Sequence, residues 1–444
     1  MVSWSAPDAA QSRAFRIVHW SSHAKGCSLK LARGAWRRPL SACLPLLIAV
    51  PVSFVACGGG DDHSPPSAVG GASGDGASGH GTAGTSGNAP GRGGATDDGG
   101  AAGSDAGNAG DGGTANPGGG SGGSGGSVAN QPPSCKGGGS TAKCGPNEES
   151  CCLSPQIPGQ TFFRSYDAVS ADYKSQANPA SVTSFHLDKF EVTVGRFRAF
   201  VSAVVGDAWR PSAGSGKHTH LNDGKGLANV GASAGNEPGW DPAWSAKLAD
   251  NAADWDARLV CDNASSSWTS EVGSKELLPI SCLDWYEAYA FCIWDEGFLP
   301  SEAEWNDAAA AGEQQRVYPW SSPPSANAID CLHANYLGAD SANGPDFCTA
   351  PGTGTVAAVG SLSPLGDGRW GQADLGGNVY EWALDTFAPY TATCPDCTNT
   401  EADDRVIRGG GYSNAAEDVL VSARNASAPA GRSKSIGVRC ARVE

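Results

Sequence analysis

Between Gly58 and Pro133 the chain is written almost wholly in Gly, Ser, Ala, Asp and Asn. Such a stretch has too little apolar surface to offset the entropy of ordering its backbone, so it cannot form a core. It divides the 444 residues into a short leader and a long C-terminal part. About 310 residues then remain to build a core, enough for one large domain or two fused lobes. A Gly-rich coil of about 75 residues spans on the order of 50 Å root-mean-square, so its natural role is a tether.

The leader, residues 1–56, carries seven basic side chains and one acidic, Asp8. Arg37 and Arg38 precede an apolar run from Leu40 to Ala56 that is short for a membrane span and flanked like a signal peptide. The run ends Ser53-Phe54-Val55-Ala56-Cys57, which resembles a bacterial lipobox with Phe54 in place of the usual Leu. The expectation is a signal peptide over 1–56, lipidation of Cys57, a disordered tether over 57–133, and an exported protein anchored to the cell envelope, in its outer membrane. Removal of the leader takes the net charge from −16 to −22. A surface this acidic repels phosphate backbones, so nucleic acid is not expected as a partner, whereas carboxylates suit hard cations such as calcium.

Of the 15 cysteines, Cys27 and Cys43 lie in the leader and Cys57 is the lipidation candidate. The twelve that follow, from Cys135 to Cys440, form an even set in an exported chain and are predicted to be disulfides. Cys135, Cys144, Cys151 and Cys152 crowd into residues 134–154, where a small disulfide knot is expected with its pairing open. Cys394-Pro395-Asp396-Cys397 is a Cys-x-x-Cys that could be redox-active, but a local disulfide is the better reading. His218-Thr219-His220 spaces two imidazoles as on one face of a strand, a weaker candidate for a metal pair.

Thr193 is placed to cap a helix with Val194, Phe197, Val201 and Val204 on one face. Asp284 with Glu287, and Ser301 with Glu304, are spaced as capping boxes for helices that end near Gly297 and Gly312. Strand patterns are short: 185–187, 405–408 and 436–442. Gly376-Gly377 permits a tight turn, and Asp374, Asn378 and Glu381 crowd oxygen ligands around it. No nucleophile elbow or phosphate-cradling loop appears.

Four segments, in order, resemble the formylglycine-generating, or sulfatase-modifying factor, family over residues 155–444. They are FHLDKFEVTVGRFRAFV from Phe185; LPISCLDWYEAYAFCIWDEGFLPSEAEWNDAAAAG from Leu278, followed by Tyr318-Pro319-Trp320; GQADLGGNVYEWALD from Gly371; and RVIRGGGYSN from Arg405, closed by GVRCAR from Gly437. The resemblance implies an α+β, C-type-lectin-like fold with little regular secondary structure, stapled by disulfides. It implies calcium held by Asp374, Gly377, Val379 and Glu381, and a second calcium held by Asn335 and Tyr336. The remaining ligands of that second site fall where this chain has extra residues; Asp346 is a candidate among them, outside the resemblance, and His333 is read as structural. It also implies a disulfide between Cys292 and Cys440.

The family's enzymes oxidise a substrate cysteine to formylglycine with two copper(I)-binding cysteines just after the Arg-Gly-Gly-Ser motif. Here Gly411 replaces the serine, and Asn414 and Val419 stand at the thiolate positions. Copper(I) prefers soft thiolates, so copper is not expected and no catalytic residue is assigned. The expected function is a calcium-stabilised binding or structural module for an envelope ligand that the sequence does not name. The alternative is a divergent oxidoreductase using another metal.

Overall fold

A computed structural model describes residues 131–443, apart from 137–142, 232, 234, 262–264, 341–343, 349–353 and 392. The leader, Cys57 and the Gly-rich tract lie outside the described residues. The described residues belong to a compact unit, Gly113–Glu444, and none of their helices is long and apolar enough to cross a membrane.

The longer helices start where local capping chemistry permits. Helix α1, Val194–Gly206, begins with the Thr193 hydroxyl accepting the Arg196 N–H at 3.2 Å. Helix α2, Ala252–Leu259, is capped by Asn251. Helices α3, Trp285–Trp294, and α4, Glu302–Ala310, each open with a complete capping box, Asp284 with Glu287 and Ser301 with Glu304. Each such cap satisfies backbone donors that would otherwise be orphaned, worth about 1 kcal/mol. Helix α4 ends on Ala311 in the left-handed region, one residue before Gly312.

The strands form small sheets rather than one large one. The largest has four strands in the order 425–427, 405–408, 380–386, 436–437. Its centre is the fully buried strand Tyr380–Thr386, in which Tyr380, Trp382 and Leu384 enter one core cluster and alternate with Glu381, Ala383 and Asp385. It pairs antiparallel with Arg405–Arg408, in a register that sets Glu381 opposite Arg408. The expected single strand over 436–442 is split. Ile436–Gly437 lies in this sheet, whereas Ala441–Arg442 pairs with Phe185–Leu187 in another. The chain between the two is fully buried, and its carbonyls at Val438 and Cys440 accept from Val192 and Asp188 N–H. One segment thereby stitches two sheets together.

The core is largely aromatic. Phe197, Phe200 and Phe291 pack among Trp255 and Trp268 with ring centroids 5.2–6.5 Å apart, joining α1, α2 and α3. A second cluster gathers Trp305, Phe185, Leu187 and the alanines of α4. Staples hold the loops: Cys135–Cys152, Cys144–Cys151, Cys261–Cys282, Cys292–Cys440, Cys331–Cys348 and Cys394–Cys397. The N-terminal knot docks on the helices, because Arg196 donates to the Ser134 hydroxyl at 3.0 Å and to the Cys151 carbonyl at 3.1 Å.

Candidate functional site

The loop 374–379 is a knot of left-handed residues: Asp374 (φ 56°), Gly377 (φ 88°) and Asn378 (φ 60°). A Cβ on Gly377 would stand 2.6 Å from the Asn335 carbonyl oxygen, so only glycine allows this approach. Asn378 then ties three segments together. Its N–H donates to the Asn335 carbonyl at 2.7 Å, and its side-chain oxygen accepts from Asn335 Nδ2 at 3.1 Å. Its amide donates to Glu191 Oε2 at 2.7 Å, and its carbonyl accepts from Tyr412 N–H at 2.8 Å. The segments expected to hold two separate calcium ions are therefore in direct contact; the first also meets the glycine loop Gly409–Tyr412, and Leu337 N–H, next to the second, donates to the Asn414 carbonyl.

The carboxylates around this hub are buried. Asp374 accepts from Gly360 N–H at 2.6 Å, and burial pushes its carboxyl up to about 6. Burial, with Asp374 and Glu381 nearby, holds the Glu191 carboxyl well above its ordinary range. Glu381 is held by Arg439 Nη2 at 2.7 Å and by the Trp305 indole N–H at 2.8 Å. Arg439 also donates to the carbonyls of Ala373, Asp188 and Lys189, so it is a rigid strut. The resemblance had assigned neither Glu191 nor Arg439. The GVRCAR motif contains Arg439, but its partner Glu381 lies 58 residues away.

The donors at hand fit calcium better than a soft metal. They are oxygens: carboxylates, an amide and main-chain carbonyls. Among the described residues Asn335 Oδ1, which is buried, has no hydrogen-bond partner, as a cation ligand would. Glu381 fits only by sharing its carboxylate with Arg439 and Trp305, which its roughly four lone-pair sites allow. Tyr336 is buried, and its hydroxyl faces the Ile329 carbonyl at 3.4 Å. Val379 N–H donates to Glu191 at 3.3 Å. The Asp346 side chain lies outside what the structure describes. His333 hydrogen-bonds Asp330 at 2.7 Å and stacks on Trp320. Among the described residues, no three His, Cys, Asp or Glu side chains converge as a metal site.

At the thiolate positions the donor set does not fit copper(I). Asn414 donates to Asp418 Oδ2 at 3.1 Å and to the Tyr380 hydroxyl at 3.3 Å. Val419 ends the short helix Ala416–Val419 and is buried against Val317, Tyr318, Ala334 and Tyr336. All twelve described cysteines are in disulfides, Cys394 and Cys397 with each other. No described residue offers a thiolate.

His218-Thr219-His220 runs into a turn and is not a strand, and the two imidazoles, with ring centroids 6.2 Å apart, both pack against Phe298. His218 sits between two carboxylates, Nδ1 at 2.9 Å from Glu237 and Nε2 at 2.9 Å from Glu304. Burial disfavours its charge, but Glu304 and Glu237 outweigh burial and hold the imidazole up at about 10. It is a buried imidazolium that pins the insertion around Glu237 to α4.

Fold and site together define a disulfide-stapled, C-type-lectin-like domain built around a glycine-rich, oxygen-lined hub. Residues 155–444 match the sulfatase-modifying factor enzyme 1-like domain, and the chain belongs to that family. It is 30% identical to the formylglycine-generating enzyme of Streptomyces coelicolor over 64% of this chain and 85% of that one. It is 29% identical to the inactive C-alpha-formylglycine-generating enzyme 2 of Mus musculus over 39% of this chain and 51% of that one. Among solved structures, PvdO from Pseudomonas aeruginosa is similar, with 19% identity, a TM-score of 0.41, and coverage of 65% of this chain and 93% of that one.

Proposed function

We propose that this chain displays a non-catalytic, calcium-stabilised binding or structural module at the cell envelope, anchored by a lipid on Cys57. The observation that carries the reading is the loss of both thiolates: Asn414 is tied to Asp418 and Tyr380, Val419 is packed into an apolar cluster, and every described cysteine is oxidised. A formylglycine-generating centre needs a soft donor pair that these residues cannot supply. The similarity to proteins named as inactive members of the family supports the same reading. Calcium enters through the oxygen donors of Asn335, Tyr336, Asp374, Gly377, Val379 and Glu381. Its contribution is to neutralise buried carboxylates that have one arginine, Arg439, among them. The test is incubation of the purified full chain with a Cys-x-Pro-x-Arg peptide, copper and a reductant. The expected mass spectrum shows unmodified peptide; an aldehyde product overturns the proposal in favour of a divergent oxidoreductase.

A further inference from the structure

At the opposite end of the strand Arg405–Arg408 from the glycine loop lies a cavity of about 90 Å³ that opens to solvent. Trp244, Trp285, Tyr289 and Leu384 form its walls, and Arg405 and Glu237 contribute its charged groups. The rings are set as a corner: Trp244 meets Trp285 edge to face at 5.4 Å, and Trp285 meets Tyr289 at 5.2 Å. The Arg405 guanidinium lies 3.8 Å above the Trp285 ring.

Arg405 is nine-tenths buried, yet its charge is not matched. Four other buried arginines, Arg196, Arg408, Arg439 and Arg442, each have a carboxylate within 4 Å, whereas Arg164, which has none among the described residues, donates to the Asn178 and Thr391 carbonyls instead. Arg405 has none among the described residues. Its Nη1 donates to the Leu384 carbonyl at 2.7 Å, and its buried Nε has no partner. Neighbouring carboxylates are engaged elsewhere. Asp385 accepts from the N–H groups of Glu302 and Asn399, and Glu237 Oε1 accepts from His218 and Leu227 N–H. A buried guanidinium stacked on indole but left without an anion is costly in isolation, and its planar fork is shaped for a carboxylate. Burial draws its pKa down to about 10, which still leaves it a cation at neutral pH.

We propose that this pocket binds a small organic monocarboxylate, its charged end on Arg405 and its flat or apolar body in the corner formed by Trp244, Trp285 and Tyr289. Aromatic walls with one convergent charge are the usual make-up of a small-molecule site. A single guanidinium, with the buried carboxylate of Glu237 also lining the pocket, favours one negative charge over two, so phosphate and dicarboxylates fit less well. The site is separate from the thiolate positions, and finding formylglycine activity would leave it standing.

Benzoate and its neutral counterpart benzamide probe the pocket on the purified full chain by isothermal titration calorimetry. Benzoate is expected to bind saturably, and benzamide to bind more weakly by about tenfold or more, the scale of a charge-assisted hydrogen bond. Arg405→Gln should weaken benzoate by at least the same factor and abolish the discrimination against benzamide. Trp244→Ala removes a partly buried wall and leaves the buried cation in place, so it should fold and weaken both probes. Absence of saturable benzoate binding to the wild-type chain overturns the proposal, as does equal affinity for the two probes. If Arg405→Gln does not fold, the wild-type comparison and Trp244→Ala decide.

Discussion

Replacement of Cys292 and Cys440 by alanine tests how far the fold depends on one long-range staple. The disulfide joins α3 to the buried crossing segment between two sheets and closes a loop with a sequence separation of 148. Two shorter disulfides, Cys331–Cys348 and Cys394–Cys397, lie inside that loop and shorten it slightly. Loop entropy depends on the logarithm of length, so the correction is minor, and the chain-entropy model gives about 5 kcal/mol. Measured values often fall below the model, so a loss of about 3–5 kcal/mol is the expected range. That is a large share of a typical folding free energy of about 5–15 kcal/mol. The assay is urea unfolding followed by tryptophan fluorescence, with refolding checked for reversibility. Each single variant should cost nearly as much as the double, because either one breaks the link. A double variant within about 1 kcal/mol of wild type would refute the reasoning. So would a non-reducing peptide map that pairs Cys292 elsewhere.

Cys57→Ser should move the protein from the membrane to the soluble fraction and abolish acyl labelling; unchanged fractionation removes the lipid anchor. Millimolar calcium should raise the melting temperature and chelation lower it. Asp374→Asn should blunt that response, and it is a cleaner variant than Glu381→Ala, which would also strip Arg439 of its partner; an undiminished calcium response in Asp374→Asn sinks the assignment. His218 is held up at about 10 against an ordinary 6.5, so its stabilisation is full below pH 6.5 and is lost as pH rises towards 10. The unfolding free energy from urea titrations should therefore fall from pH 6.5 to 9 by up to about 3 kcal/mol, and His218→Gln should flatten that slope. Burial, helped by Glu304, pushes the Asp307 carboxyl up to about 8, and neither of its oxygens has a partner among the described residues. An acid raised in the fold also costs stability as pH climbs, here from 3.8 to 8, so Asp307→Asn should be more stable than wild type at pH 9; equal or lower stability there contradicts a neutral Asp307.

The sequence by itself determined whatever is settled within three or four residues, or by the absence of an atom. Ser301 with Glu304 and Asp284 with Glu287 state their capping boxes outright, because a cap reaches only one helical turn. Gly377 announces a turn that no side chain could enter. Asn414 and Val419 exclude thiolate chemistry at their positions in any fold, since neither carries sulfur. Only the tertiary structure decided what distant residues do for one another. EAEWNDAAA has the composition of a surface helix, yet every residue of α4 is buried. Glu302 finds Arg424, 122 residues away, and Glu304 finds His218, 86 residues away. The run from Ile436 to Arg442 alternates like one strand but serves two sheets, because Arg439 turns inward to Glu381. Arg405, in the same motif as Arg408, has no carboxylate within 4 Å among the described residues although Arg408 has one. A charge's partner is chosen by which segments the core brings within about 4 Å of it, where low dielectric makes the match matter most. That proximity is a property of the assembled core, with no counterpart in local spacing.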